Sequence, residues 1–229
     1  MNHIDWVATE AELTAQGCAV LSGLLDTKTC DQLRRGWDAR EAFRSEIVMA
    51  RHGYGSGVYR YYAYPLPPLI QDLRSAIYPP LADIANRWAE ALGQEVRYPA
   101  THADYLARCH EAGQTRPTPL LLRYGPGDWN ALHQDLYGDH VFPLQVAILL
   151  SRPNEDFTGG EFVLTEQRPR MQSRAEVVPL GQGDAVVFPV LERPVQGTRG
   201  IHRRQMRHGV SRLRSGERFM LGVIFHDAR

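Results

Sequence analysis

Lysine is almost missing from this chain: Lys28 is the only one in 229 residues, and arginine carries the remaining positive charge. Genomic base composition is the simplest source of that bias. A charge excess is missing too. Lys and Arg total 26, as do Asp and Glu, so the zero net charge argues neither for nor against a nucleic-acid partner. Cysteine is scarce. Cys18, Cys30 and Cys109 are odd in number, widely spaced and without a Cys-x-x-Cys, which argues against a disulfide framework. Nothing near Cys109-His110 completes a four-ligand zinc set, so that pair reads as structural. No apolar stretch approaches the ~20 residues of a membrane span. The opening MNHIDWVATEAEL has no basic region leading into an apolar run, so no secretory signal is evident. Reduced cysteines in a cytoplasmic protein are the simplest expectation.

What is present divides into two textures. The length suits one domain over 1–229. Residues 7–45 carry helical signals: Thr9 with Glu12 reads as a capping box, and Asp26 or Thr27 opens a second helix through Leu33, Trp37 and Phe43. Leu69, Leu73, Ile77, Leu81, Ile84, Trp88 and Leu92 recur at helical spacing, with Pro79-Pro80 predicting two helices or a kink. RHGYGSGVYRYYAYP, between these regions, reads as a hairpin or mobile loop. From residue 119 short apolar runs follow one another, among them PLLLRY, FPLQVAILL, DAVVFPV and RFMLGVIF, separated by Gly, Pro, Asp and Asn clusters. Many short strands with turn signals predict a sandwich or jelly roll. The expected architecture is mainly β with α: a double-stranded β-helix core over 119–229, with a helical cap and substrate-side loop over 1–118.

The chemistry concentrates at His133-Gln134-Asp135 and at His208. Strand alternation sends His133 and Asp135 to one face. Two imidazoles and one carboxylate form a set that holds Fe(II) on one side and leaves three positions open. His208 and His202 are both followed by an arginine ten residues on, Arg218 and Arg212, so that spacing does not choose between them. Val210, Leu213 and the Ser215-Gly216 turn follow only His208 in the right order, and a returning strand then brings Arg218 to the pocket. A pair of satisfied core histidines with a loop aspartate is the plainer alternative, and the combined context favours the metal set.

These residues resemble the Fe(II)/2-oxoglutarate dioxygenases, in two branches. Arg123-Tyr124-Gly125-Pro126-Gly127 and then Leu132-His133-Gln134-Asp135 look like the first metal motif of AlkB-type nucleic-acid demethylases. Thr158-Gly159-Gly160-Glu161, Gly183 through Phe188 and His208 through Arg218 resemble the prolyl 4-hydroxylases. The stretch 119–227 looks like a bacterial oxygenase family linked to oxidative demethylation of damaged DNA. The resemblance implies Fe(II), 2-oxoglutarate and O2 as cofactor and co-substrates, with succinate and CO2 released. It places Tyr124 on 2-oxoglutarate, while Leu122 stands where the demethylases carry an asparagine. Arg218 suits the far carboxylate because guanidinium binds carboxylate through two parallel hydrogen bonds.

The substrate is less legible. Tyr54, Tyr59, Tyr61, Tyr62 and Tyr64, with Arg51 and Arg60, form either a stacking and phosphate-binding lid over a base or an ordinary hairpin packed on the core; aromatic strand preference favours the hairpin. Tyr59, Tyr61 and Trp129 are the candidate substrate residues. Eight arginines (193, 199, 203, 204, 207, 212, 214 and 218) against Glu217 form a stripe that could hold a phosphate backbone or find acidic partners elsewhere in the fold. His226-Asp227 reads as structural. Three functions follow: demethylation of an alkylated base in DNA or RNA, hydroxylation of a prolyl or other protein residue or of a free amino acid, and a non-catalytic jelly-roll binding module.

Overall fold

The protein is described from a computed structural model covering residues 4–167, 171–198 and 200–229. Its helices are α1 (Trp6–Gln16), α2 (Thr27–Arg35), α3 (Pro68–Ala91) and α4 (His102–Glu111). The first half of the chain also supplies strands β1 (Ala19–Leu21), β2 (Phe43–Val48), β3 (Gly55–Ser56) and β4 (Val58–Tyr62). The second half supplies β5 (Leu120–Tyr124), β6 (Trp129–His133), β7 (Leu144–Leu149), β8 (Phe157–Gly159), β9 (Phe162–Gln167) and β10 (Arg174–Val178). It ends with β11 (Ala185–Pro189), β12 (Glu192–Gly197), β13 (Gly200–Val210), β14 (Leu213–Gly216) and β15 (Arg218–Val223).

Among the described residues the strands form a major sheet in the order β1-β11-β7-β15-β5-β4-β2 and a minor sheet in the order β10-β9-β13-β6-β3, with β12 on β13. Every strand pair between the named strands is antiparallel. Two facing antiparallel sheets with helices outside one of them are the expected jelly roll with its helical cap. The central strands β7, β11 and β15 are buried along their whole length because the major sheet is covered on both faces. Their alternate residues divide cleanly. Leu144, Val146, Ile148, Val187, Leu221 and Val223 join Ile70, Leu73, Ile77 and Leu81 of α3 in one core. Ala147, Val186, Phe188 and Met220 face Phe162, Leu164 and Met206 of the minor sheet in another. This parity decides which side chains of the major sheet can reach a cavity between the sheets.

Several local expectations change. Asp5, not Thr9, caps α1: its carboxylate accepts from the Val7 and Ala8 amides at 3.1 and 3.0 Å. Thr9 lies inside the helix and donates to the Asp5 carbonyl, so no Thr9–Glu12 capping box forms. Asp26 caps α2 as expected, but that helix stops at Arg35 and Phe43 opens β2. α3 runs through Pro79 and Pro80 as one 24-residue helix. The missing amide donors are outweighed by a long apolar face buried on the major sheet, since tertiary packing supplies most of a protein helix's stability. The tyrosine-rich segment is a hairpin in which β4 pairs with β2 and also with β5. Tyr61 and Tyr62 are buried there. His226-Asp227 is structural: Asp227 pairs with fully buried Arg74 at 2.9 Å and meets Tyr64 and His110.

Candidate active site

His133 closes β6 and His208 sits near the end of β13, and the two are register partners across the minor sheet. Their ring centroids are 4.1 Å apart. The register shifts between His208 and Val210, and Gly209 occupies that irregularity. A Cβ on Gly209 would come within 2.7 Å of the Asn130 carbonyl, so the close crossing of the two strands needs glycine there. Asp135 lies beyond the end of β6. The chain beyond the strand, rather than strand alternation, delivers its carboxylate beside the two rings. Asp135 Oδ1 is 3.3 Å from His133 Nε2, and Oδ2 is 3.4 Å from His208 Nε2. The three ligand-type atoms fall within 4.8 Å of one another, the metal-competent group found among the described residues.

The electrostatics fit a cation. Burial resists the Asp135 charge, yet the two imidazoles hold its carboxyl well below the usual carboxylate range. Burial likewise opposes the His133 imidazolium, but Asp135 and the Ala131 carbonyl outweigh it and raise its pKa. Burial and the charge of His133 lower that of His208. His133 Nδ1 lies 2.8 Å from the Ala131 carbonyl, an acceptor only, so the proton belongs on Nδ1 and Nε2 is left bare toward the cluster. His208 Nδ1 has no protein partner. Two neutral nitrogens and one carboxylate oxygen, with open space beside them, match the donor set of non-haem Fe(II) oxygenases.

That open space is a cavity of about 460 Å³ between the sheets, lined by His133, Asp135 and His208 and by Tyr59, Tyr124 and Gln145. Parity puts Tyr124 of β5, Gln145 of β7 and Met220 of β15 on its wall. Arg218 pairs with Tyr124 across β5 and β15, on the same sheet face as Tyr124 and Met220 but outside the cavity lining, and is 1 % exposed. One of its Nη atoms contacts the Met220 sulfur at 3.3 Å, while Nε and the other Nη have no partner. Burial drives its pKa down to about 10. The Tyr124 hydroxyl is also buried without a hydrogen bond; burial pushes its pKa up to about 12, against the opposing influence of Arg218 and Asn130. A buried guanidinium with two unbonded nitrogens beside a buried phenol with an unbonded hydroxyl forms a cradle suited to an anion.

The other expected residues separate. Tyr59 lines the cavity. Tyr61 lies behind it, bonded to Tyr137, and Trp129 is exposed outside the lining. Arg193 is buried against Glu166, Arg203 lies near Glu192, and Arg204 approaches Glu166. Arg207, Arg212 and Arg214 are exposed with no carboxylate at ion-pair distance among the described residues, and Arg199 lies outside those residues. Two polar neighbours were not visible in the sequence. Tyr137 and Gln145 donate to Asp135 at 2.8 and 2.9 Å. Tyr137 stands two residues beyond the motif, but Gln145 lies inside an apolar strand run where only its polarity marked it.

A family model described as an oxygenase, catalysing oxidative methylation of damaged DNA, matches residues 57–228. The chain belongs to that oxygenase family, and it is an enzyme. An uncharacterised protein of Mycobacterium tuberculosis, found in strains CDC 1551 / Oshkosh and ATCC 25618 / H37Rv, is 50% identical over 206 residues, covering 87% of this chain and 88% of its own. A Pseudomonas putida prolyl-4-hydroxylase superposes with a TM-score of 0.58 at 16% identity, over 98% of this chain and 100% of that one. A Burkholderia pseudomallei oxidoreductase of the 2OG-Fe(II) oxygenase family gives 0.58 at 17% identity, over 99% and 94%. These structures share the fold. No helix among the described residues is long and apolar enough to cross a membrane.

Proposed function

We propose that the protein is an Fe(II)- and 2-oxoglutarate-dependent oxygenase of alkylated bases in DNA, with the whole chain forming one catalytic unit. His133, Asp135 and His208 hold the metal, and Arg218 and Tyr124 hold the far carboxylate of 2-oxoglutarate. The observation that carries this reading is the pairing of a converged two-histidine, one-carboxylate cluster with a buried arginine that has two unbonded nitrogens and is register partner to Tyr124 on the wall of the same cavity. When bound, metal and co-substrate supply oxidation of a substrate C–H bond by O2, with succinate and CO2 released.

The chain's own residues prepare the site. The Ala131 carbonyl sets the tautomer of His133. Phe188 packs 4.7 Å from the His208 ring and, with Phe162, excludes water on that side. Arg218 offers the N–H groups of two free nitrogens and Tyr124 one O–H to an anion. Tyr54 and Tyr59, lining the cavity, give a planar base aromatic faces on which to stack. Exposed Arg207, on the outer face of β13, together with exposed Arg212 and Arg214, offers charge to phosphates along the protein surface. An N-methyl carbon oxidised to hydroxymethyl leaves as formaldehyde, so an oxygenase removes methyl groups from a damaged base. The cysteines are free and buried, as suits a cytoplasmic location.

The test is formaldehyde release from methylated single-stranded oligonucleotides with Fe(II) and 2-oxoglutarate at several salt concentrations. Turnover strongest at low salt and absent in His133→Ala is expected. No turnover at low salt, with succinate still formed, would discard the nucleic-acid substrate and leave a hydroxylase of protein residues or amino acids. Absence of any Fe(II)-dependent succinate would discard the enzyme reading for a binding module.

A further inference from the structure

Asp135 is gripped at both oxygens. The Tyr137 hydroxyl donates to Oδ1 at 2.8 Å, and the Gln145 amide donates to Oδ2 at 2.9 Å. The two donors come from different parts of the fold. Gln145 is fixed in the middle of the major sheet, where β7 pairs with β11 and β15. Tyr137 stands in the segment after β6, and the Gln114 amide holds its carbonyl at 3.1 Å. Behind Tyr137, the Tyr61 hydroxyl donates to the Tyr137 oxygen at 3.0 Å, with the two rings perpendicular. A phenol oxygen that receives a proton from one side turns its own proton elsewhere. Tyr61 therefore aims the Tyr137 proton at Asp135. Tyr61 is itself pinned, edge-on to Tyr59 at 5.4 Å and under the Arg44 guanidinium at 4.5 Å.

A carboxylate on a segment outside a strand has two side-chain torsions to set, and a metal that must order it loses affinity accordingly. We infer that Tyr137 and Gln145 are positioning residues that preset the Asp135 carboxylate for the metal, and that Tyr61 acts through Tyr137 in the same line. The inference rests on the proposed metal role of His133, Asp135 and His208. It assigns Tyr61, behind the cavity lining, to the support of the metal site and leaves Tyr54 and Tyr59 as the tyrosines that meet substrate.

The experiment is anaerobic titration of the full chain with Co(II), read by visible ligand-field absorption, for wild type, Tyr137→Phe, Gln145→Met, Tyr61→Phe and Asp135→Ala. Tyr137→Phe and Gln145→Met are expected to bind Co(II) roughly 10–100-fold more weakly, with altered ligand-field bands. Tyr61→Phe should lose roughly 2–10-fold, the effect of one hydrogen bond, because it frees the Tyr137 proton without removing it. A merely structural role would lower thermal stability and leave the Co(II) spectrum unchanged. Wild-type affinity and spectrum in both Tyr137→Phe and Gln145→Met, with binding lost in Asp135→Ala, would overturn the positioning role and keep the metal site. Failure of wild type to bind, or unchanged binding by Asp135→Ala, would overturn both. If Gln145→Met does not fold, the two tyrosine variants carry the test, each removing a single hydroxyl.

Discussion

Replacing Arg218 by methionine should make the ligand-free protein more stable while abolishing its response to 2-oxoglutarate. The guanidinium is 1 % exposed, has no carboxylate partner and keeps two nitrogens unbonded. Burial lowers its pKa from the usual arginine range to about 10. At ~1.4 kcal/mol for each tenfold change in proton affinity, holding that charge in place costs about 3 kcal/mol. The sign is set by protonation: below pH 10 the group is charged in both folded and unfolded chains, so the whole penalty is present at neutral pH. Against it stand cation–π contacts to Tyr124 at 5.6 Å and Phe157 at 5.8 Å, worth about 1–2 kcal/mol together. Methionine fills similar space without charge. The net gain is therefore about 1–2 kcal/mol, or roughly 2–8 °C in melting temperature for a chain of this size. Calorimetry with and without 2-oxoglutarate, in the presence of Co(II), separates the two effects. Wild type at a hundred times the dissociation constant should gain about 2.7 kcal/mol. Arg218→Met should start higher and gain nothing. A lower starting temperature would refute the energetic reasoning, and an undiminished ligand response would refute the anion role.

Two further outcomes follow from the buried polar groups. Asp227→Ala strands the Arg74 charge, which is fully buried in the same pair, so it should cost about 3–5 kcal/mol by urea unfolding. The Arg74→Met, Asp227→Leu double variant should be milder, and equal loss in both would contradict the charge argument. Acid should also weaken the fold. Burial, then the Arg74 charge, depresses His102 to about 4, and burial depresses His226 to about 4. The folded chain then takes up fewer protons than the unfolded one between pH 6.5 and 4. The stability these neutral rings contribute is present above about pH 6.5 and lost toward pH 4, by up to about 3 kcal/mol each. Urea titrations at pH 7 and pH 4.5 in His102→Gln against wild type would show a shallower pH dependence in the variant; parallel curves would disprove it.

The sequence by itself determined the layer architecture and the chemistry. Strand-length apolar runs after residue 119 could be satisfied only by sheets, whereas the passage of α3 through Pro79 and Pro80, where a break or kink was expected, was decided by the packing of its apolar face. His133 and Asp135 stood out because few residue types bind metals and only one residue separates them, and His208 because Val210, Leu213 and the Ser215-Gly216 turn follow it. Everything that depends on sequence-distant neighbours waited for the tertiary structure. The joining of β1, β2 and β4 to the major sheet is a matter of edge pairing, which local pattern does not encode. Gln145 sits within the apolar run FPLQVAILL, and only its parity on β7 turns it toward Asp135, 2.9 Å away. Tyr61 read as a candidate substrate residue beside Tyr59 until Tyr137, 76 residues on, gave its hydroxyl an acceptor. Arg218 was legible as a charge near a histidine, but its lack of a partner could be decided only by what packs around it. Composition fixes which groups are available; burial and pairing, which are properties of the folded packing, decide which of them are left free to act.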